Sequence, residues 1–242
     1  MSDPDWYEWH QPYDQPTSAL ARRLALVQAE IVNAIQSFPP GPIRAISLCA
    51  GQGRDLIGAL TNHPRADDVS ARLVEMDSRN VDVAVLSAAA AGLRGIEVIC
   101  GDASHTSAFE GAVPADLVLA CGIFGNITDA DIESTIAALP RLCARDAIVI
   151  WTRHRKAPDL TPQIRRWFAR SGFDEVSYRD PPKAMFAVGS NRLAVSPRPL
   201  GPDTELFRFV SRADLEPVPD VKKRERPPGR RPPSAPGPTR RG

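Results

Sequence analysis

The sequence predicts an α/β fold: a doubly wound, mostly parallel seven-stranded sheet with an antiparallel closing strand. Three observations predict it. Short apolar runs alternate with helical patterns from Ile43 onward, as parallel strands joined by crossover helices require. The first apolar run passes through two glycines two apart, Gly51 and Gly53, straight into a helix start at Arg54. The second and third runs are each followed at once by an acid, Asp77 and Asp102, at the carboxyl edge where open α/β sheets bind ligands.

The elements before the sheet form an N-terminal unit over residues 1–40. Asp5 to Tyr13 (DWYEWHQPY) packs four aromatic residues and a histidine ahead of any helical pattern. Aromatic surface that dense is costly unless it buries against something, so the stretch is expected either to tuck against the domain surface or to form an aromatic lid over the ligand mouth. Thr17 or Ser18 then caps a helix to about Ser37, with Leu20, Leu24, Val27, Ile31 and Ile35 along one stripe. Arg22 and Arg23 are expected to face solvent. Pro39-Pro40-Gly41-Pro42 ends the helix.

The first strand and its turn occupy Arg44 to Leu56 (RAISLCAGQGRDL). Glycines there admit backbone conformations closed to other residues and let a ligand press on bare main chain. The following helix aims free N–H groups at the same spot, so a nucleotide-like ligand is expected. Gly51-Gln52-Gly53-Arg54-Asp55-Leu56 places leucine at the third glycine of the G-x-G-x-x-G dinucleotide fingerprint, and the phosphate loop G-x-x-x-x-G-K-[ST] is absent. Strand two, Ala71 to Met76, leads into Asp77, and Ser78 caps a helix to Ala91 that stops at Gly92. A carboxylate at the position of Asp77 accepts hydrogen bonds from ribose hydroxyls. Strand three is Ile96 to Cys100, followed by Gly101-Asp102-Ala103; strand four is Asp116 to Gly122.

This ordered set resembles the class I S-adenosylmethionine-dependent methyltransferases. Their first motif reads roughly D-x-G-x-G-x-G, and here it is Ser47-Leu48-Cys49-Ala50-Gly51-Gln52-Gly53. Two of the three glycines match, while Ser47 stands at the leading acid and Cys49 at the first glycine. The resemblance runs from about Ile43 to Val210. It implies a Rossmann-like domain over residues 41–212 that takes S-adenosyl-L-methionine as cofactor. It implies a binding set of Cys49, Ala50, Gly51, Gly53 and Asp55, then Glu75, Asp77 and Ser78. Gly101, Asp102 and Ala103 follow, then Cys121 and Gly122. In that set Asp77 serves the ribose, Asp102 the adenine, and the stretch Cys121 to Ile127 lies beside the transferable methyl. The N-P-P-Y form of many amino-group methylases of nucleic acid and protein is missing, which points to a small-molecule acceptor.

Downstream, Thr128 caps a helix with Asp131 completing a near capping box, and Ile132, Ile136 and Leu139 face inward. Ala147 to Trp151 is strand five, running into a charged loop, Thr152 to Lys156, where Arg153 and His154 meet a substrate or solvent. Thr161-Pro162 opens a helix that buries Ile164, Trp167 and Phe168 and stops at Gly172. Phe173 to Tyr178 is strand six, and Ala184 to Val195 with Leu206 to Val210 supplies the closing strand. Residues 213–242 are rich in proline and arginine and are expected to be disordered. A general base is needed only where the acceptor sheds a proton; the candidates are His10, Tyr13 and His154.

Composition sets the outer bounds. The net charge of +1 divides into +5 over Glu216 to Gly242 and −4 over the rest, so no basic stripe for nucleic acid is expected on the folded part. No run approaches the ~20 apolar residues of a membrane span. The start Met-Ser-Asp-Pro-Asp has no signal-peptide character. Four cysteines, none in C-x-x-C spacing, fit free thiols in a reducing cytoplasm and no zinc site. Two rival readings share these features: an NAD(P)-dependent oxidoreductase, and a non-catalytic S-adenosylmethionine-binding module.

Overall fold

A computed structural model of the chain describes residues 5–210. Its seven strands are β1 (Ile43–Leu48), β2 (Val69–Glu75), β3 (Ile96–Cys100), β4 (Ala115–Ala120), β5 (Cys143–His154), β6 (Phe173–Arg179) and β7 (Phe186–Leu193). They form one sheet in the order β3-β2-β1-β4-β5-β7-β6. The first five are parallel, and β7 runs antiparallel between β5 and β6. The chain winds outward from β1 to β3, then crosses back to β4 beside β1. That reversal opens a crevice at the carboxyl ends of β1 and β4.

Five α-helices cover the two faces: α1 (Ala19–Ser37), α2 (Arg54–Leu60), α3 (Ser78–Ala90), α4 (Asp129–Ala138) and α5 (Thr161–Arg170). Strand residues alternate between the faces, so each strand feeds two cores. Ile31, Ile35, Leu56, Leu60 and Ala84 pack on Ala45, Leu117 and Ile150 on one side. Ile132, Ile136, Trp167 and Phe168 pack on Val118, Val149 and Trp151 on the other. Ser18 caps α1, its hydroxyl accepting from Ala21 N at 2.9 Å. The expected stripe is half right: Val27, Ile31 and Ile35 are buried, whereas Leu20 and Leu24 stay partly open. Thr128 caps α4 as expected, accepting from Asp131 N at 3.1 Å.

Several boundaries differ from the sequence reading. Asp77, not Ser78, is the cap of α3, its carboxylate accepting from Arg79 N at 3.0 Å. At α5 the expected cap Thr161 is the first helical residue; Asp159 accepts from both its N–H (2.9 Å) and its hydroxyl (2.7 Å). Strand five is much longer than Ala147 to Trp151. Thr152, Arg153 and His154, expected in a loop, are strand residues opposite Val188, Ala187 and Phe186. The returning β7 satisfies their backbone and covers them. The closing strand is Phe186–Leu193 alone. Leu206 to Val210 crosses the carboxyl end of the sheet outside it, burying Leu206 and Phe207 and making only isolated bridges. The tail expected over residues 213–242 lies outside the described residues. No described helix is long and apolar enough to cross a membrane.

Candidate functional site

A cavity of about 320 Å³ lies at the crevice, lined by the turns that follow β1, β2, β3 and β4. Of the residues singled out from sequence, it brings together Cys49, Ala50, Gly51, Asp55, Glu75, Asp77, Gly101, Asp102, Ala103, Cys121, Gly122, His10 and Tyr13. Gly53, Ser78 and His154 do not line it.

The glycine turn is held in a left-handed path by Cys49 (φ 51°), Gly51 (φ 55°) and Gly53 (φ 67°). Cys49 stands where the resembling family has glycine, and it carries that backbone conformation with a side chain attached. Gly53 serves packing: a Cβ there would meet Ile57 Cδ1 at 2.6 Å. Glu75, the last residue of β2, locks the turn to the sheet. Its Oε2 accepts from Gly51 N at 2.8 Å and its Oε1 from Asp77 N at 3.0 Å. The carboxylate is 8% exposed, yet each oxygen keeps a lone pair for another donor. Asp77 is committed elsewhere. Arg79 grips it at 2.6 Å and reaches on to Asp5 at 2.8 Å, which holds the Asp77 carboxyl below the usual range. Asp102, at the end of β3, is exposed and accepts from Ser104 N through one oxygen at 2.8 Å.

The β4 end contributes Cys121 and Gly122. Gly122 N donates to Thr152 Oγ1 at 2.8 Å, and Asn126 Nδ2 to Gly122 O at 2.7 Å. Burial, reinforced by nearby acids, pushes the Cys49 and Cys121 thiols well up, so neither is a thiolate at neutral pH. Burial also raises the Asp55 carboxyl.

The N-terminal segment lies across this cavity as a turn followed by a 3-10 helix, Glu8–Asp14. Arginines of three helices stack on three of its rings: Arg79 on Tyr7 (5.1 Å), Arg23 on Trp9 (5.7 Å) and Arg54 on Tyr13 (5.7 Å). Ion pairs hold both ends, Asp5 to Arg79 and Asp14 to Arg54. The Trp6 ring meets Phe209 of the crossing segment at 5.7 Å. His10 sits on the glycine turn itself; a Cβ on Gly51 would fall 2.3 Å from His10 Nε2. His10 Nδ1 is 2.6 Å from Trp6 O, so it carries the proton and Nε2 keeps its lone pair. Burial depresses the His10 pKa, opposed by the contact with Trp6 O and by Glu75.

His154 sits on β5 behind the Gly122 to Ile127 turn, its Nδ1 buried without a hydrogen-bond partner. Its neighbour Arg153 donates to Phe124 O and so braces that turn from outside the cavity. Asn126, within the expected Cys121 to Ile127 stretch, also lines the cavity, whereas Arg23, Leu24, Gln52, Arg54, Asn80 and Phe209 line it without having been singled out from sequence as site residues. Gln52 and Arg54 sit inside the quoted glycine motif and were within reach. Arg23 and Phe209 had no local signal, because they enter only when distant segments fold over the sheet.

No family model matches the sequence, and no curated protein does. Solved structures match well. The CurJ carbon methyltransferase superposes with a TM-score of 0.58 at 14% identity over 78% of this chain, which spans 57% of that protein. The magnesium protoporphyrin IX methyltransferase ChlM from Synechocystis PCC 6803, solved with bound SAM, gives 0.58 at 11% identity, covering 79% of this chain and 99% of that one. The [4+2]-cyclase SpnF gives 0.54 at 13% identity, covering 81% and 98%. Seven strands in this order, the antiparallel strand between β5 and β6 and these superpositions agree: the chain has the fold of the class I S-adenosylmethionine-dependent methyltransferases.

Proposed function

We propose that the chain binds S-adenosyl-L-methionine in this cavity and transfers its methyl group to a small-molecule acceptor held beneath the N-terminal segment. The observation that carries the reading is Glu75: a buried carboxylate tied to Gly51 N, with open lone pairs facing a cavity that Asp102 also lines. Glu75 takes the ribose hydroxyls in preference to Asp77, whose Oδ1 accepts from both Arg79 N and Nε and whose Oδ2 is ion-paired with Arg79 Nη2, whereas Glu75 has no cation paired with it among the described residues. Asp102 keeps one carboxylate oxygen for the adenine amine. Cys49, Ala50, Gly51 and Gly101 press backbone against the ligand, and Cys121, Gly122 and Asn126 flank the methyl end. Within the described residues, 5–40 form the cover and 41–210 the domain it closes.

Bound there, the cofactor supplies a methyl carbon activated by a sulfonium, and its sulfur departs uncharged. The residues of the chain therefore mainly align and exclude water. For a hydroxyl acceptor, His10 is the group fitted to take the proton, because it is neutral with Nε2 free. Tyr13, its pKa raised by burial, stays protonated and donates hydrogen bonds. His154 lies outside the cavity and is given no part. We place the chain in a reducing cytoplasm, on the strength of four cysteines with no C-x-x-C spacing.

Titration calorimetry with S-adenosylhomocysteine tests the cofactor. Hydrogen bonds to a charged group are worth about 1.5–3 kcal/mol each, so a folded Glu75→Ala protein should bind at least tenfold more weakly, while Asp77→Asn changes little. Equal affinity of Glu75→Ala and wild type would sink the assignment; binding of NADH in place of S-adenosylhomocysteine would favour the oxidoreductase. A second reading rests on Ser47 and Cys49, which depart from the first motif of the resembling family: the same site binds the cofactor and transfers nothing. Tight binding without turnover across hydroxyl, amine, thiol and carbon acceptors would favour it.

A further inference from the structure

One cation in the cavity wall has no partner that explains it. Arg23, on α1, lines the cavity. Its Nη2 donates to the Tyr13 hydroxyl at 2.8 Å, and its guanidinium lies 5.7 Å from the Trp9 ring centre. Among the described residues no carboxylate lies within 4.0 Å of it, whereas Arg54 and Arg79, the other two arginines on the segment, are each paired with an aspartate. Arg23 opposes only weakly the upward push of burial on the Asp55 carboxyl, and one Asp55 oxygen is already taken up by Leu56 N at 2.8 Å. A guanidinium offers five N–H donors in a fixed fork, and the protein uses one of them. The Tyr13 hydroxyl, accepting from Arg23, keeps its own proton to donate. Two donors thus stand side by side on the wall of the cavity that carries Trp9, Leu24 and Val27.

We propose that Arg23 and the Tyr13 hydroxyl bind a carboxylate at the Trp9 side of the cavity. A fork of parallel N–H donors beside an O–H matches the two oxygens of that group and gives the guanidinium a paired carboxylate. The carboxylate is either that of the cofactor's amino-acid end or one carried by the acceptor. The first alternative rests on the proposed cofactor; the second stands without it.

Calorimetry on Arg23→Met, which keeps the apolar stem, and on Tyr13→Phe separates the sources. Four probes are used: S-adenosylhomocysteine, 5′-methylthioadenosine, which lacks the amino-acid end, and phenylacetate against phenylacetamide. If the cofactor supplies the carboxylate, Arg23→Met weakens S-adenosylhomocysteine at least tenfold and leaves 5′-methylthioadenosine unchanged. If the acceptor supplies it, both adenosyl ligands are unaffected, and wild type prefers phenylacetate to phenylacetamide while Arg23→Met loses that preference. Tyr13→Phe shows a smaller loss in the same arm, and Arg23→Lys an intermediate one, since it keeps charge without the fork. An equal loss for both adenosyl ligands would mean that Arg23 only supports the fold. No change with any probe, including a wild type that ignores phenylacetate, overturns the proposal. Failure of wild type to bind S-adenosylhomocysteine would instead remove the cofactor reading and leave the phenylacetate comparison intact.

Discussion

Replacing Gly51 by alanine should unseat the N-terminal segment, and the structure sets the size of the effect. The new Cβ would lie 2.3 Å from His10 Nε2 and 2.9 Å from Cε1, so the ring must retreat by about 1.1 Å to reach the 3.4 Å of ordinary contact. The backbone at Gly51 has φ 55°, a left-handed conformation that costs a residue with a Cβ about 1 kcal/mol. Moving the ring also disturbs the 2.6 Å contact from Nδ1 to Trp6 O and the packing of His10 on Trp9 and Tyr13. A hydrogen bond contributes about 1 kcal/mol net, which brings the total to about 2 kcal/mol. For a chain of this size that is a fall of roughly 4–8 °C in Tm. The decisive measurement is a double-mutant cycle with His10→Ala. Without the imidazole only the backbone strain remains, so Gly51→Ala should then cost about 1 kcal/mol, leaving a coupling of about 1 kcal/mol between the two positions. Acrylamide should quench Trp6 and Trp9 more readily in Gly51→Ala than in wild type. An identical cost in both backgrounds would refute the seating of His10 on the glycine turn.

Two further outcomes follow from the packing. The His10 pKa is depressed by burial, with Glu75 raising it and Arg54 and Arg23 lowering it further, so a released ring binds a proton that the seated ring resists. Seating is then complete above about pH 6.5 and weakens as pH falls from there toward the lower folded value; tryptophan quenching should rise over that window in wild type and stay flat in His10→Gln, and a segment that tightens on acidification would contradict this. At Gly189 on β7 a Cβ would lie 2.2 Å from the Trp151 ring, which is clamped by Asn191 Oδ1 at 2.8 Å and stacked on Phe168. Gly189→Ala should therefore cost about 1–3 kcal/mol by overpacking and lower Tm by several degrees, so an unchanged melting curve would show that the β5–β7 pair yields.

Much of the sheet was legible because its signals are local. β3 was read at Ile96–Cys100, as observed, since a short apolar run between turn residues has few other solutions. The glycine turn was legible because a Gly-x-Gly after a buried strand restricts the backbone whatever packs on it. Polar residues that become buried could not be read the same way. Thr152 and Arg153 look like a loop until β7 returns more than thirty residues later, pairs their backbone and leaves them 1% and 8% exposed.

The choice between Glu75 and Asp77 shows where local reading ends. Two acids two residues apart at a strand end are equivalent in sequence, and position after the apolar run points to Asp77. The β1–β2 register, which sets Leu48 opposite Val74, brings Glu75 beside Gly51, while the chain turns into α3 at Asp77 and spends that side chain on the cap and Arg79. Arg23 is the sharper case. On an isolated amphipathic helix it belongs to the solvent side, and only Trp9 and Tyr13, folding back from the start of the chain, convert that side into a cavity wall. Strand order along the chain, turn chemistry and fold class are written in patterns within a few residues and are legible without the structure. Which charges face the cavity was decided only by the tertiary structure, because it depends on strand register and on segments far apart in the chain closing over the same crevice.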